Sequence, residues 1–308
     1  MKKAVVTGAN GFVGSAVCKA LCRKNIEVIA VVRNPGISAD DISVNGNIRM
    51  VYSDSSDFAH LSDMIPDRDV DAFYHFAWEG SAGNLRSDDN VQLRNVMSSC
   101  DAARACAALG CSRFVFASSI MEYEILALME KEITPGANTL YSSAKLAADL
   151  MSRTVAGNLG VGYIRAVVSN IYGPGENSPR LINTSLRKML SGEYCRFSAG
   201  EQIYDFIYID DAAEAFRSLG EKGKANKTYY IGSENPRPLR EYILEMRDCV
   251  DPGIEIGLGE LEYKGISLTY DEFDRNAVRE DTGFVPEIEF RKGINKTIRW
   301  LKGEYNEF

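Results

Sequence analysis

Histidine is nearly missing from this chain. Only His60 and His75 occur in 308 residues, which leaves no histidine-rich metal site to build. The seven cysteines, Cys18, Cys22, Cys100, Cys106, Cys111, Cys195 and Cys249, contain no CxxC spacing, so neither a zinc ribbon nor a disulfide framework is expected. Cys18 and Cys22, four apart, read as small core residues of one helix. Long apolar runs are absent as well. Nothing approaches the roughly 18 residues of a membrane span, and the run Ala4-Val5-Val6 is too short for the core of a secretion signal. The expected compartment is therefore the cytoplasm. An excess of basic charge is also lacking, with 35 Lys and Arg against 43 Asp and Glu and a net charge of -8. That balance excludes bulk attraction to nucleic acid or anionic lipid, and an anionic ligand would need a local basic pocket.

What the sequence does contain is an apolar start broken by evenly spaced glycines, Lys3-Ala4-Val5-Val6-Thr7-Gly8-Ala9-Asn10-Gly11-Phe12-Val13-Gly14. The pattern predicts strand, tight turn and helix. Gly8 suits the sharp turn, Gly11 lets a phosphate approach the main chain, and Gly14 allows the helix to pack on the strand. The helix N-terminus then presents amides to a pyrophosphate, so the implied ligand is a dinucleotide. A helix is predicted over 12–24 and a second strand over 27–32. Val32 stands where an acidic residue would hold the adenosine ribose, and Arg33 follows it. This favours NADP(H) over NAD(H), against the alternative of a solvated arginine at a loop start.

Further strands are predicted at 48–52, 70–77 and 113–117, with helices over 88–109 and 140–157. Strands that each lead into a helix or a loop to one predict a doubly wound α/β sheet with right-handed crossovers. Asp54 either contacts an adenine amine or caps the next helix. His75, inside a nearly continuous apolar strand, reads as a core histidine. Trp78 and Glu79 follow that strand at the carboxyl edge of the sheet, where such folds bind ligands. Downstream, Tyr141 and Lys145 are four apart and share one helical face. A neighbouring ammonium favours ionisation of a phenol whose ordinary pKa is near 10, and Ser119 at a strand end can hydrogen-bond the same substrate oxygen. The set can exchange a proton with a sugar hydroxyl or ketone.

In this order, the glycine turn, Phe114-Val115-Phe116-Ala117-Ser118-Ser119, Tyr141 with Lys145, Asn170-Ile171-Tyr172-Gly173-Pro174-Gly175, Asp205-Phe206-Ile207-Tyr208-Ile209-Asp210-Asp211 and Tyr230-Ile231-Gly232-Ser233 resemble the extended short-chain dehydrogenase/reductase family, which includes nucleotide-sugar epimerases, dehydratases and ketoreductases. The resemblance implies a Rossmann-type doubly wound parallel sheet with a smaller C-terminal α/β substrate lobe. Residues 1–170, with 202–232 returning, would form the dinucleotide-binding domain, and 171–201 with 233–308 the substrate lobe. It makes Ser119, Tyr141 and Lys145 the catalytic trio. The cofactor would meet Gly8, Asn10, Gly11, Phe12, Val13, Gly14, Arg33, Asp54, Phe76, Ala77, Trp78, Ala117, Tyr141 and Lys145, the last holding the nicotinamide ribose and keeping the tyrosine acidic. The substrate, a nucleotide sugar, would meet Trp78, Ser119, Met121, Glu122, Tyr141, Asn170 and Arg180. A homodimer through the helices over 88–109 and 140–157 is a further implication, although their small apolar stripes can equally bury against the chain's own sheet.

Two departures shape the expected reaction. Where dehydratases of the family carry an acidic pair after the catalytic hydroxyl, this chain has Ile120-Met121, with Glu122 one place late, either touching substrate or facing solvent. Elimination of water is therefore not expected. Tyr204 occupies a position where many relatives carry an arginine for the diphosphate, and Arg165, Arg180 and Arg275 are the candidate replacements. With Arg33, these features lean toward NADPH-dependent reduction of a nucleotide-linked 4-keto(-6-deoxy) sugar at C4. The alternative is an NAD-dependent nucleotide-sugar 4-epimerase, and a non-catalytic NADP(H) sensor is a third reading.

Overall fold

Strands lead into helices along most of the first half, as the apolar runs and glycine breaks require. The computed structural model describes residues 1–36, 39, 42, 46–263 and 265–304. The first half runs β1 (Lys3–Thr7), α1 (Phe12–Arg23), β2 (Glu27–Val32), β3 (Ile48–Tyr52), α2 (Leu61–Met64), β4 (Ala72–His75), α3 (Asp89–Ala108), β5 (Arg113–Ser119), α4 (Glu122–Glu130), α5 (Leu140–Asn158) and β6 (Gly162–Val168). The second half runs β7 (Asn170–Tyr172), α6 (Leu181–Leu190), β8 (Cys195–Phe197), β9 (Ile203–Tyr204), β10 (Phe206–Tyr208), α7 (Ile209–Lys222), β11 (Lys227–Ile231), β12 (Arg237–Pro238), α8 (Leu239–Val250), β13 (Ile256–Leu258), α9 (Ala277–Thr282) and α10 (Phe290–Leu301).

Seven strands pair in parallel in the order β3-β2-β1-β4-β5-β6-β11. The winding direction reverses between β1 and β4, and open α/β sheets bind ligands at such a crevice. Alternate residues of each strand feed opposite cores. Ala4, Val6, Val28, Ala30 and Val32 pack with Val17 and Leu21 of α1 and Phe216 and Leu219 of α7. Val5, Ile29, Val31 and Phe73 pack with Ala102, Ala103 and Cys106 of α3 and Ala144 and Ala148 of α5. Both faces being covered, the strands read as unbroken apolar runs. His75 is buried in this sheet as expected, its ring nitrogens 2.9 Å from Thr7 Oγ1 and 3.1 Å from Ser99 Oγ. Burial pushes its pKa down to about 3.

The second half builds smaller layers beside the carboxyl edge of the sheet. β7 pairs with β10 and β8 with β13, both in parallel, while β9 pairs antiparallel with β12. Within 202–232, only β11 joins the main sheet and α7 packs on its α1 side, whereas β9 and β10 belong to these smaller layers. Residues 264 and 305–308 of the expected substrate lobe lie outside the described residues. Asp211 does more than open α7, because its carboxylate accepts from the backbone amides of Glu287 (3.2 Å) and Ile288 (2.8 Å) and ties the C-terminal segment to that helix. Among the described residues, no helix is long and apolar enough to cross a membrane.

Candidate active site

The turn after β1 needs its glycines for separable reasons. Gly8 has φ +67°, and a Cβ there would lie 2.7 Å from the backbone nitrogen of Ala77, so the turn presses directly on the end of β4. A Cβ on Gly14 would run into the Gly8 carbonyl oxygen, which sets how closely α1 packs under the turn. No side chain caps α1 at Gly11, so its first-turn amides remain available to an anion. In front of them lies a cavity of about 390 Å³ lined by Gly8, Asn10, Gly11, Arg33, Phe76, Ala77, Trp78 and Glu79, among others. A glycine cradle, uncapped helix amides and a cavity in front of them fit a dinucleotide.

Some of the expected side chains lie outside this cavity. The Phe12 side chain lines a groove between α1, α7 and α10 near Gly175 rather than this cavity. The Val13 side chain packs on the core and Gly14 sets the close approach of α1, so what these two residues offer an anion is their first-turn backbone amides. Asp54 takes the capping role: its Oδ1 accepts from the Ser56 amide (3.0 Å) and hydroxyl (2.9 Å) at the start of a 3-10 turn over Ser55–His60, and these bonds hold its carboxyl below the usual range despite partial burial. Ser53 and Ser55, not Asp54, line the cavity. Arg33 is two-thirds exposed and sits 3.4 Å from Glu79, whose backbone is held on both sides by the Asn95 side chain.

The proton-transfer groups meet at the carboxyl end of β5. Tyr141 and Lys145 project from the first turns of α5, and both are buried. Ser119, the last residue of β5, accepts from the Met121 amide at 3.2 Å and shares a cavity wall with Tyr141, whose ionised form its hydroxyl favours. Lys145 donates to the Ala117 carbonyl at 3.0 Å and lies 3.8 Å from the centroid of the Trp78 ring. Trp78 in turn meets Tyr141 edge to face at 5.9 Å and is fixed by its Nε1 donating to Gln92 Oε1 at 3.1 Å. It thus stands between the dinucleotide cavity and the phenol. Burial lowers the Lys145 pKa to about 7.

The expected electrostatics need correction here. Burial raises the Tyr141 pKa, and the groups opposing that rise are Arg180, Arg86 and the Ser119 hydroxyl, not Lys145. Arg86 stacks on the phenol, its Cζ 4.2 Å from the ring centroid. Ser119, Met121, Tyr141, Asn170 and Arg180 share a second cavity of about 240 Å³ with Arg86, Asn183 and Tyr204. The sequence reading missed Arg86. The available signal was an arginine just past the glycine- and serine-rich loop after β4, in a 3-10 turn over Asn84–Ser87.

Glu122 neither touches this cavity nor faces solvent. It is fully buried, accepts from Ser118 Oγ (2.7 Å) and the Ser119 amide (3.0 Å), and pairs with Arg165, which also reaches Asp149 at 3.1 Å. Its expected contact with substrate is therefore replaced by a structural one, because a buried guanidinium must be neutralised. The same pairing removes Arg165 as a diphosphate ligand. Arg275 donates to the Glu234 carbonyl oxygen at 3.4 Å, and Asn170 donates to the Asp205 carbonyl oxygen at 3.1 Å from the cavity wall. Of the three candidate arginines, Arg180 alone lines the cavity.

A doubly wound sheet, a glycine cradle at its switch point and a serine, tyrosine and lysine beside it mark a dinucleotide-dependent enzyme. The family model described as the NAD dependent epimerase/dehydratase family matches residues 4–232. The chain belongs to this family, and with it to the extended short-chain dehydrogenase/reductases. It is 25% identical to the dTDP-glucose 4,6-dehydratase of Escherichia coli, across 97% of this chain and 93% of that one. Its fold is similar to the UDP-N-acetylglucosamine 4-epimerase from Methanobrevibacter ruminantium in complex with UDP-N-acetylmuramic acid (TM-score 0.82, 22% identity, 99% of each chain). It is likewise similar to the Bordetella bronchiseptica enzyme WbmF in complex with NADH (TM-score 0.80, 20% identity, 98% of this chain and 92% of that one).

Proposed function

We propose that this chain catalyses reversible hydride transfer at C4 of a nucleotide-linked sugar, and that it works as a 4-epimerase retaining NAD. The observation that carries the reading is the buried Tyr141 beside the half-buried Ser119, both opening into the 240 Å³ cavity next to the glycine cradle. The nicotinamide cofactor, when bound, accepts and returns the hydride. Tyr141 takes the proton from the C4 hydroxyl and later gives it back, with Ser119 hydrogen-bonded to the same oxygen. Arg86 and Arg180 stabilise the phenolate while it exists. Gly8, Gly11 and the first turn of α1 hold the pyrophosphate, and Lys145, with Trp78 against it, borders the nicotinamide end.

Elimination chemistry lacks its acid. Ile120 and Met121 are apolar, Glu122 is sealed against Arg165, and Glu124 accepts from Ser142 at 3.2 Å outside the cavity wall. The dehydratase activity named for the Escherichia coli relative is therefore not proposed for this chain. NAD is preferred because Glu79, held by Asn95, offsets the charge of Arg33 at the ribose end, where a 2′-phosphate would meet that carboxylate. The NADPH-dependent 4-keto reductase stays as a second reading, since the exposed Arg33 guanidinium has room to turn onto a phosphate. Mass analysis of cofactor released from purified protein, with an assay for interconversion of C4 epimers without added cofactor, decides between them. Retained NAD with turnover supports the epimerase. An empty protein that turns over only with added NADPH overturns it.

The exposed side chains Leu93 and Met97 of α3 and Leu150 and Met151 of α5 form an apolar face on two packed helices, while their buried stripes cover the sheet. This face supports a homodimer, to be checked by light scattering.

A further inference from the structure

Arg86 is a charged group brought beside a reacting centre with no carboxylate in ion-pair contact among the described residues, Glu124 acting on it only at longer range. Among the described residues its guanidinium donates to the Ser81 carbonyl oxygen at 3.1 Å and otherwise rests on the face of Tyr141. Across the same cavity stands Arg180, whose carboxylate partner Glu176 is 3.8 Å away and also accepts from the Ser178 amide. Burial makes the protonated form of Arg86 less favourable and the like charge of Arg180 adds to this, against a partial offset from Tyr141 and Glu124. A desolvated cation of this kind is costly unless an anion completes it. The cavity that both arginines line is the one that opens onto Tyr141 and Ser119.

We propose that Arg86 and Arg180 form a seat for a carboxylate carried by the sugar itself, so that the substrate is a nucleotide-linked sugar acid. The inference rests on the C4 chemistry proposed above. Tyr141 must reach the oxygen on C4, and Arg86 lies on the Tyr141 ring. An anion it binds is therefore close to C4. In a pyranose the group on C5 is the neighbour of C4, whereas the nucleotide diphosphate hangs from C1 on the opposite side of the ring. A C5 carboxylate meets a guanidinium fork with two parallel hydrogen bonds, which a hydroxymethyl group cannot do. Tyr204, also on the cavity wall, leaves Arg86 and Arg180 as its cations.

The test is calorimetric titration of the full-length protein with two matched pairs, UDP-glucose against UDP-glucuronate and GDP-mannose against GDP-mannuronate, and with UDP alone. The seat predicts that in at least one pair the acid binds tighter by on the order of tenfold or more, the worth of a charge-assisted hydrogen bond. It also predicts that Arg86→Gln brings that ratio near one, while Arg86→Lys keeps part of it. NADH binding by each variant reports an intact fold. Equal binding of acid and hexose in the unaltered protein overturns the seat and leaves the nucleotide-sugar reading standing. Arg86→Gln weakening UDP, hexose and acid by the same factor also overturns it, assigning Arg86 to the diphosphate. Failure of all these nucleotide sugars to bind removes the nucleotide-sugar reading and the seat together.

Discussion

Replacing Glu122 by Gln separates the two roles that a carboxylate three residues past a catalytic serine can have. In the structure the Glu122 carboxylate is inaccessible, accepts from Ser118 Oγ and the Ser119 amide, and pairs with Arg165. Glutamine conserves the volume, so no cavity term enters, and it can still accept from Ser118. What it loses is the charge opposite Arg165. Breaking a buried pair costs roughly 3–5 kcal/mol when the remaining ion is left alone. Arg165 is not left alone, because Asp149 stays 3.1 Å from its Nε, so the expected loss falls to about 2–3 kcal/mol, in the range of hydrogen bonds to charged groups. Urea unfolding followed by the fluorescence of Trp78 and Trp300 should register it as a lower midpoint at unchanged slope. Because Glu122 also fixes the Ser119 backbone, kcat should fall modestly while KM for substrate stays near its original value. A variant within about 0.5 kcal/mol of the parent, with a raised KM, would refute the structural role and return Glu122 to the substrate site.

Other outcomes follow from the same coordinates. His75, held near pKa 3 when folded against about 6.5 unfolded, binds its proton more readily in the unfolded chain, so its contribution to stability is present above pH 6.5. Stability should fall as pH drops from about 6.5 toward 3, by up to roughly 1.4 kcal/mol per pH unit from this one group, and His75→Gln should flatten that slope in acid unfolding curves. Gly8→Ala places a Cβ against the Ala77 backbone at a left-handed φ, so it should lower stability by more than about 1 kcal/mol and weaken NADH binding more than tenfold in a fluorescence titration. Ala117 accepts from Lys145 through its main chain, so Ala117→Ser should leave cofactor affinity within about twofold, whereas Lys145→Met should reduce it on the order of tenfold or more.

The sheet was legible because its signals are local. Gly8, Gly11 and Gly14 mark a turn whose demands lie within a few residues, and apolar runs such as 27–32 and 113–117 state their own burial. The doubly wound order followed from alternation alone. Tyr141 and Ser119 were legible through their order along the chain, and the structure brings them onto one cavity. What could not be read were interactions closed by distant chain. Glu122 meets Arg165 only because β5 and β6 are neighbours, pairing Ala117 with Ala166 and Ser118 with Val167. Arg86 reaches Tyr141 only because the loop after β4 folds over α5, and nothing in residues 78–87 specifies that partner. Arg33 carried an argument about the cofactor that changed once Glu79, 46 residues away, stood opposite it. Asp54 was undecided between two local roles, and the Ser56 amide and hydroxyl decided it.

The central claim is that Tyr141 transfers the proton at the sugar oxygen. Tyr141→Phe keeps the ring against Arg86 and Trp78 and removes only the hydroxyl. The most direct measurement compares C4 epimer interconversion by the parent and by this variant, with nucleotide-sugar and NADH affinities measured on the same preparations. The account predicts turnover reduced by roughly two to four orders of magnitude at nearly unchanged affinities. Turnover retained within a few-fold of the parent would contradict it.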